Sequence, residues 1–169
     1  MKIFKLGDFT EETLDRFTDF SNAYWEEEWC IYLHCSGGST WIRGQIDQIL
    51  SKKLLEPTTC YLNVIMAYSS GFISMMNFTG HINIINDSRA MIHQKCSETT
   101  LNGAGNEMNH ASSNYGEMMY KHNKLSYKKD LLWCETFMTE KELKDYKDGK
   151  DIYYSEEQLL SLVKKRNYV

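Results

Sequence analysis

Residues 60–71 read Cys-Tyr-Leu-Asn-Val-Ile-Met-Ala-Tyr-Ser-Ser-Gly, and this stretch decides the fold. The part up to Tyr68 is apolar and contains β-branched side chains, which predicts a buried strand. The turn Ser69-Ser70-Gly71 ends the strand, and Phe72 to Phe78 has the pattern of a short helix. A serine at such a junction acts either as a helix cap or as a nucleophile whose oxyanion the helix N-terminus stabilises.

A similar strand, turn and helix precede this stretch. Trp29 to His34 is a β-rich run that ends at the turn Ser36-Gly37-Gly38, and Ile42 to Lys53 follows with helical spacing. Paired glycines let the backbone approach a ligand closely and direct an amide at it. Gly-Gly turns are also common without any function, so this turn alone is a weak signal.

Strands and helices alternate in the rest of the chain. Glu11 to Tyr24 has helical spacing, and His81 to Asn86 and Ala90 to Gln94 have the composition of two short strands. A last helix opens at Ser155 with Gln158 three residues later, which is a capping pattern. This alternation predicts an α/β domain with a mainly parallel sheet.

Length and composition limit the class of protein. The 169 residues suffice for one domain over 1–169, and 42% of them are hydrophobic, as in globular proteins. The net charge of −4 argues against a nucleic-acid-binding module. No apolar run is long enough for a membrane span and the first residues lack the pattern of a secretory signal, so we expect a soluble, cytoplasmic protein.

The cysteines give no sign of a metal site. Five cysteines without a Cys-x-x-Cys spacing are typical of a reducing compartment, and neither a metal nor a cofactor is expected. Residues 97–114 have the composition of a loop, and residues 115–145 are charged and helical in pattern.

A serine nucleophile needs a base and a group that orients the base. His93 follows a strand-like run, and Asp151 stands shortly after Gly149. Each also has a structural interpretation, His93 as a buried core side chain and Asp151 as a turn residue. Their order along the chain after Ser70 makes the three together a candidate Ser-His-Asp triad.

Four stretches resemble the proteolytic subunit of the Clp protease (ClpP) and its smaller relatives. They are Tyr32-Leu-His-Cys-Ser-Gly-Gly-Ser39, Ala67-Tyr-Ser-Ser70, Asn86-Asp-Ser-Arg-Ala-Met-Ile-His-Gln94 and Asp151-Ile-Tyr-Tyr-Ser-Glu-Glu157. The family has there its Asn-Ser-Pro-Gly-Gly turn, its nucleophile stretch Gly-x-Ala-Ala-Ser, its Arg-x-Met-Ile-His-Gln motif and its triad aspartate. The third stretch is the most specific, and the resemblance runs from about Ile3 to the C-terminus.

This resemblance implies a ClpP/crotonase-like fold of stacked ββα units and a serine endopeptidase. Ser70 would attack the scissile carbonyl, His93 would be the general base, and Asp151 would orient His93. The amides of Gly38 and Gly71 would form the oxyanion hole. The segment with Gly37 and Ser39 would hold the substrate backbone as an added strand.

Several departures from the family leave the serine open. Ser36 replaces the turn proline, Ala67 replaces the first glycine of the nucleophile stretch, and the segment from the serine to His93 is shorter. Ser74 is an alternative match and Ser69 a third. Ser70 is preferred to Ser74 because it leaves a full helix before Gly80.

The resemblance also indicates partners. The substrate would be a peptide or an unfolded protein. Residues 95–145 would form a helical, handle-like insertion, which favours a homo-oligomer and permits a ring. The chain begins at the family's first strand, without the preceding helix and axial loops that help dock the ATPase ring. We therefore expect a divergent, phage-type relative that does not dock a Clp ATPase in the usual way.

Three other interpretations stay open. The same fold could be retained as a catalytically inactive assembly or interaction subunit. Ala67-Tyr-Ser69-Ser-Gly71 is close to the Gly-x-Ser-x-Gly of α/β-hydrolase esterases, with Ser69 as nucleophile, although that fold orders its triad Ser, Asp or Glu, His. A crotonase-like enzyme acting on an acyl thioester would need the Gly-Gly amides but not the triad.

Overall fold

The structure is a computed structural model, and it describes residues 1–94, 125 and 127–166. Cys96, the loop expected at 97–114 and the first part of the insertion expected at 95–145 lie outside these residues. The chain divides into two compact units, residues 1–92 with 152–169, and residues 93–151. The second unit spans nearly the same residues as that insertion.

The first unit is an α/β unit built on one five-stranded sheet with the strand order β1-β2-β3-β4-β5. Strands β1 to β4 are parallel, and β5 is antiparallel to β4. The mainly parallel α/β sheet expected from the sequence is therefore confirmed. The strands are β1 (Lys2–Leu6), β2 (Trp29–Cys35), β3 (Cys60–Tyr68), β4 (His81–Ile92) and β5 (Ile152–Tyr154).

Each pair of neighbouring parallel strands from β1 to β4 is joined by a helix. The helices of this unit are α1 (Glu11–Tyr24), α2 (Thr40–Lys53), α3 (Ser70–Asn77) and α6 (Glu156–Arg166). α1 packs on α2 and α2 packs on α3, as expected for successive crossovers of one hand along a sheet. α6 packs against β4.

The second unit contains the helical residues 127–134 (α4) and the helix α5 (Glu140–Lys147). Thr139 caps α5 through a reciprocal capping box with Glu142. Gln94 donates from its side-chain amide to the carbonyls of Tyr146 at 2.6 Å and Lys147 at 3.2 Å. The residue after His93 is thus fixed to the C-terminal end of α5.

The helix ends follow from local capping chemistry. The Thr10 hydroxyl accepts a hydrogen bond from the Thr13 amide at the start of α1, and Ser39 caps α2 in the same way. Ser155 and Gln158 exchange side-chain and backbone hydrogen bonds at 2.9 and 3.4 Å. The capping pattern expected at Ser155 is confirmed.

One expectation about the strands is wrong. His81 to Asn86 and Ala90 to Gln94 are not two strands, since β4 is continuous from His81 to Ile92. Its pairing with β3 passes from Val64↔Ile84 to Met66↔Arg89, so residues 85–88 bulge out opposite one residue. Asp87 has a left-handed φ of 64° in this bulge. The Ser88 hydroxyl donates to the Val64 carbonyl at 2.7 Å and so bridges the gap in the ladder.

Candidate functional site

The candidate site is built at the carboxyl ends of β2 and β3, where two short turns face each other. The first turn, Ser36 to Ser39, joins β2 to α2, and the second, Ser69 to Gly71, joins β3 to α3. Functional groups of parallel α/β sheets lie at this edge because the strands end there and the helices begin. A Cβ built on Gly37 would lie 3.4 Å from the Cβ of Ser69 and 3.7 Å from its Oγ.

Ser69 has an unusual backbone conformation. Its φ of 53° and ψ of −115° fall outside the allowed regions of an L-residue with a side chain. Such strain costs on the order of 1–3 kcal/mol and persists only where the surroundings fix the backbone. The Ser69 amide donates to the Met91 carbonyl of β4 at 2.7 Å, and the Ser69 carbonyl accepts from Ile73 in the first turn of α3. Sharp, strained strand-to-helix turns of this kind expose the nucleophilic serine of α/β-hydrolases at the end of their sheet.

Gly71 lets α3 pack closely on β2. A Cβ added to Gly71 would lie 2.9 Å from the Cβ and 3.1 Å from the Sγ of Cys35. Because the first distance is shorter than real Cβ contacts and the second is tight, any larger residue would require the helix or the strand to shift. Gly71 therefore contributes to the position of the Ser69 turn through packing.

Ser70 occupies a different environment from Ser69. It is 2% exposed, and its hydroxyl donates to the carbonyl of Gly38 at 2.9 Å. This bond joins the first residue of α3 to the Gly-Gly turn. A hydroxyl that is buried and already donating is poorly placed to attack a substrate, so the geometry favours Ser69 over Ser70, the serine preferred from the sequence.

Ser74 is also buried and engaged. It is 3% exposed, and its hydroxyl donates to the carboxylate of Asp47 on α2. Burial raises the pKa of the Asp47 carboxyl, while Ser74 and then the Arg43 guanidinium 3.6 Å away act in the opposite direction. Ser74 thus links α2 to α3 beneath the turns and is unsuited to be a nucleophile.

The Gly-Gly turn is held from β1 and its following loop. The Phe9 amide donates to the Gly37 carbonyl at 2.9 Å, and the Ser39 amide donates to the Phe9 carbonyl at 3.0 Å. The carboxylate of Asp8 accepts from the Ser36 amide at 2.6 Å and from the Ser36 hydroxyl at 2.7 Å. These contacts fix the turn without using the amide of Gly38.

Both glycines are needed by the turn itself. Gly37 has φ 144° and Gly38 has φ 120°, which side chains rarely allow. A Cβ on Gly38 would also lie 2.6 Å from the Phe9 carbonyl oxygen. The Cys35 thiol donates to the Gly37 carbonyl at 3.2 Å, and burial raises the pKa of this thiol to about 12, so Cys35 stays protonated near neutral pH.

The segment expected to hold an added substrate strand is already paired along one edge. Phe9 uses the Gly37 carbonyl and the Ser39 amide in a parallel bridge, so an added strand would have to use the opposite edge, at Gly38. Phe9 gave no signal in the sequence because its pairing with Gly38 is a contact between distant segments. The Gly38 amide, expected as an oxyanion donor, takes no part in this bridge.

The second expected oxyanion donor changes with the serine. The first amides of an α-helix have no partner within the helix. With Ser69 at the turn, the amide that follows the nucleophile is that of Ser70, and Gly71 is one residue further into the helix. A nucleophilic Ser69 would therefore take the amide of Ser70, rather than that of Gly71, as the second oxyanion donor.

His93 and Asp151 are the first and last residues of the second unit, and each is next in the chain to a strand of the sheet. Ile92 at the end of β4 pairs with Ile152 at the start of β5. His93 follows the first of these residues in the chain, and Asp151 precedes the second. His93 is partly exposed and Asp151 is exposed.

Neither a metal-binding cluster nor a membrane-spanning helix is found in the part of the chain that the structure describes. No three His, Cys, Asp or Glu side chains there are grouped so as to hold a metal ion. None of the described helices has the length and apolar character needed to cross a membrane.

The chain matches no protein-family model and no curated protein.

Proposed function

We propose that the protein is a serine hydrolase that cleaves peptide bonds, with Ser69 as nucleophile, His93 as general base and Asp151 as the group that orients the base. The observation that carries the proposal is the strained Ser69 turn facing the glycine turn Gly37-Gly38. Strain of this kind clusters at functional sites because a purely structural serine has no need of it.

The proposed reaction follows the chemistry of a serine triad. The Ser69 hydroxyl attacks the scissile carbonyl, and His93 takes its proton and later protonates the leaving amine. The negative charge on the carbonyl oxygen is stabilised by the amides of Gly38 and Ser70, one from each turn. Asp151 orients His93 and stabilises its charged form. Water then hydrolyses the acyl-enzyme.

Chain connectivity supports the choice of base. The Ser69 amide donates a hydrogen bond to the carbonyl of Met91, which lies two residues before His93. The β4–β5 pairing brings the attachment points of His93 and Asp151 to adjacent positions. Esterases of the α/β-hydrolase type would also use Ser69, but the order His93 before Asp151 differs from theirs.

The resemblance to ClpP supports a peptide substrate and is part of the proposal. A ClpP/crotonase-like arrangement agrees with the irregularities of β2, β3 and β4. The register shifts between Leu33 and His34 in β2 and between Val64 and Met66 in β3 lie at the same level of the sheet. Such bulges bend strands and divide a sheet into two parts. We also propose that the protein acts as a homo-oligomer in the cytoplasm.

Fluorophosphonate labelling of the purified protein, with peptide mapping of the adduct, tests the proposal. We expect an adduct on Ser69 that is lost in Ser69→Ala and strongly reduced in His93→Ala. Ser74→Ala is the matched control, since it removes a hydroxyl from the same helix and leaves the two turns intact. An adduct on Ser70 or Ser74 would refute the assignment of Ser69. A folded protein that takes no label and cleaves no peptide would favour the inactive-subunit interpretation.

A further inference from the structure

A shallow groove opens beside the two turns, at the carboxyl ends of β1, β2 and β3. It has a volume of about 390 Å³, within the range of small-ligand pockets. The side chains that line it are those of Asp8, Thr10, Thr13, His34, Ser36 and Met66. No role follows for this groove from the proposed reaction at Ser69.

The groove begins one residue away from the proposed nucleophile. Ser36 forms part of its wall, and the next residue, Gly37, faces the Cβ and Oγ of Ser69 at the distances given above. A side chain held in the groove would therefore belong to a residue close to the bond being cleaved. This position is that of a specificity pocket.

The charge in the groove is negative and is not neutralised. Asp8 is the only carboxylate among the residues that line the groove, and no lysine or arginine lines it. Within residues 1–94, 125 and 127–166, Asp8 forms no ion pair with a lysine or an arginine. An unpaired carboxylate in a groove is a recognition element for a cation.

The carboxylate also has room for a second partner. Ser36 donates one hydrogen bond to each Asp8 oxygen, whereas a carboxylate can accept about four. The hydroxyls of Thr10 and Thr13 lie 3.1 Å apart on the same wall and offer further acceptors. Met66 provides an apolar surface for the methylene stem of a long basic side chain.

We propose that this groove binds a lysine or arginine side chain of the substrate, with Asp8 as the residue that determines specificity. The proposal rests on the proposed hydrolase function, since the groove is a subsite of the Ser69 site. A guanidinium or ammonium would bind the two Asp8 oxygens from the side opposite Ser36. Substrates with an acidic residue at this position would be repelled.

Matched fluorogenic peptides test the proposal. They differ at one residue near the cleaved bond, which is arginine, lysine, norleucine or glutamate, and each of the three residues on either side is varied in turn. At one position we expect kcat/KM for arginine to exceed that for norleucine by about tenfold, which one charge-assisted hydrogen-bonding contact supplies. Glutamate is expected to be the poorest.

Two variants separate specificity from structure. Asp8→Asn removes the charge and keeps an acceptor for the Ser36 amide, and we expect it to lower the arginine-to-norleucine ratio to near one. Ser36→Ala keeps the carboxylate and loses the hydroxyl contact, and we expect it to keep the ratio even if the overall rate falls. A merely structural role of Asp8 would change both rates equally and leave the ratio unchanged.

The outcomes for the function and for the groove are distinguishable. If Ser69 is labelled but arginine peptides are cleaved no faster than norleucine peptides, the specificity proposal is wrong and the hydrolase proposal stands. If no peptide is cleaved, the groove is tested by the binding of argininamide to the protein. This binding is followed by NMR through the amide shifts of Asp8 and Thr13. Binding that Asp8→Asn abolishes would support the groove without the hydrolase, and no shift would refute it.

Discussion

The two ends of the same sheet differ in how they are built. At the amino ends of β1 to β3, large rings are packed around a strand residue that is fully buried, Trp29. At the carboxyl ends, the turns consist of glycines and serines, with left-handed backbone at Ser69, Gly37 and Gly38. The amino end is densely packed, whereas the carboxyl end is open and has strained backbone.

The amino end holds an aromatic cluster of Phe4, Phe17, Phe20 and Trp29. Phe17 and Phe20 lie 5.9 and 5.2 Å from Trp29 between ring centroids, and Phe4 lies 5.0 Å from Phe17. Most of these pairs are edge-on or tilted, the arrangement that aromatic rings prefer. All four side chains are buried, so the cluster contributes hydrophobic stabilisation to the first unit.

A buried lysine completes this end. Lys53 is 0% exposed, and its ammonium donates to the Trp25 carbonyl and the Thr58 hydroxyl. It also lies 5.0 Å from the centre of the Trp29 ring and 5.8 Å from that of Trp25. Its partners among the described residues are neutral dipoles and ring faces.

Together with the proposed function, this difference predicts that stability and chemistry depend on opposite ends of the strands. Substitutions in the aromatic cluster should change the free energy of unfolding and leave the reactivity of folded protein unchanged. Substitutions in the turns should mainly change reactivity, and they should alter the free energy of unfolding by no more than about 2 kcal/mol. Four experiments test this separation.

The largest effect is expected at Ser69. Ser69→Ala should lower peptide cleavage by at least about 1000-fold, because it removes the proposed nucleophile. Ser69→Gly should be as inactive but more stable than Ser69→Ala by about 1–2 kcal/mol, since glycine adopts φ 53° without strain. Urea unfolding of the two variants measures the difference. An alanine variant at least as stable as the glycine variant would show that the turn is unstrained.

The next largest effect is expected in the aromatic cluster. Phe17→Ala should lower the free energy of unfolding by about 3–5 kcal/mol, because Phe17 is 0% exposed and its removal leaves a cavity among the rings. Phe17→Leu is the matched control and should cost less. The folded fraction of both variants should take up fluorophosphonate at the wild-type rate. A slower rate would show that the two ends are coupled.

A smaller effect is expected at Ser70. Ser70→Ala removes the hydrogen bond to the Gly38 carbonyl, so the Gly38 amide should be less well oriented for the oxyanion. We expect kcat to fall about tenfold with KM nearly unchanged, and unfolding stability to fall by about 1 kcal/mol. Ser74→Ala should cost similar stability without any change in kcat. Equal kcat in the two variants would contradict the positioning role of Ser70.

The smallest effect is expected in the pH dependence of stability. The pKa of Asp47 is raised in the folded protein by burial, so the folded state holds this proton more tightly than the unfolded state. Stability should therefore fall as pH rises from the unfolded carboxyl pKa through the raised folded pKa. Asp47→Asn should lack this fall, and melting temperatures of both proteins from pH 4 to pH 8 would show it. Parallel pH profiles of the two proteins would argue against the raised pKa.

Local chemistry explains why much of the fold was predictable. The bounds predicted for α1, Glu11 to Tyr24, agree with the structure because Thr10 caps the helix and the buried Phe17 and Phe20 share a face. β3 ends at Tyr68 where the serine turn was expected. By contrast, the three-residue β5 has no pattern of its own and forms only because β4 is there to pair with it.

The sequence predicted the two turns of the candidate site, and the structure favours Ser69 over Ser70 as the proposed nucleophile. The backbone of Ser69 is set by its bond to Met91 and by the packing of Gly71 on Cys35, which are contacts between distant segments. The signal that could have identified Ser69 was present in the sequence, as the glycine two residues after it. That pattern is close to the esterase elbow, and the structure has a strand-to-helix turn at the same residues.

The close approach of Gly71 to Cys35 means that two positions far apart in sequence share one volume. Among homologous proteins, a side chain larger than hydrogen at residue 71 should occur together with a smaller residue at 35, and the two positions should covary. In this chain the same constraint means that Gly71→Ala should be rescued by Cys35→Gly, which removes the two atoms that lie nearest to the new methyl group. The pair would then serve as a packing signature by which distant relatives with the same elbow could be recognised, even where the serines themselves have diverged.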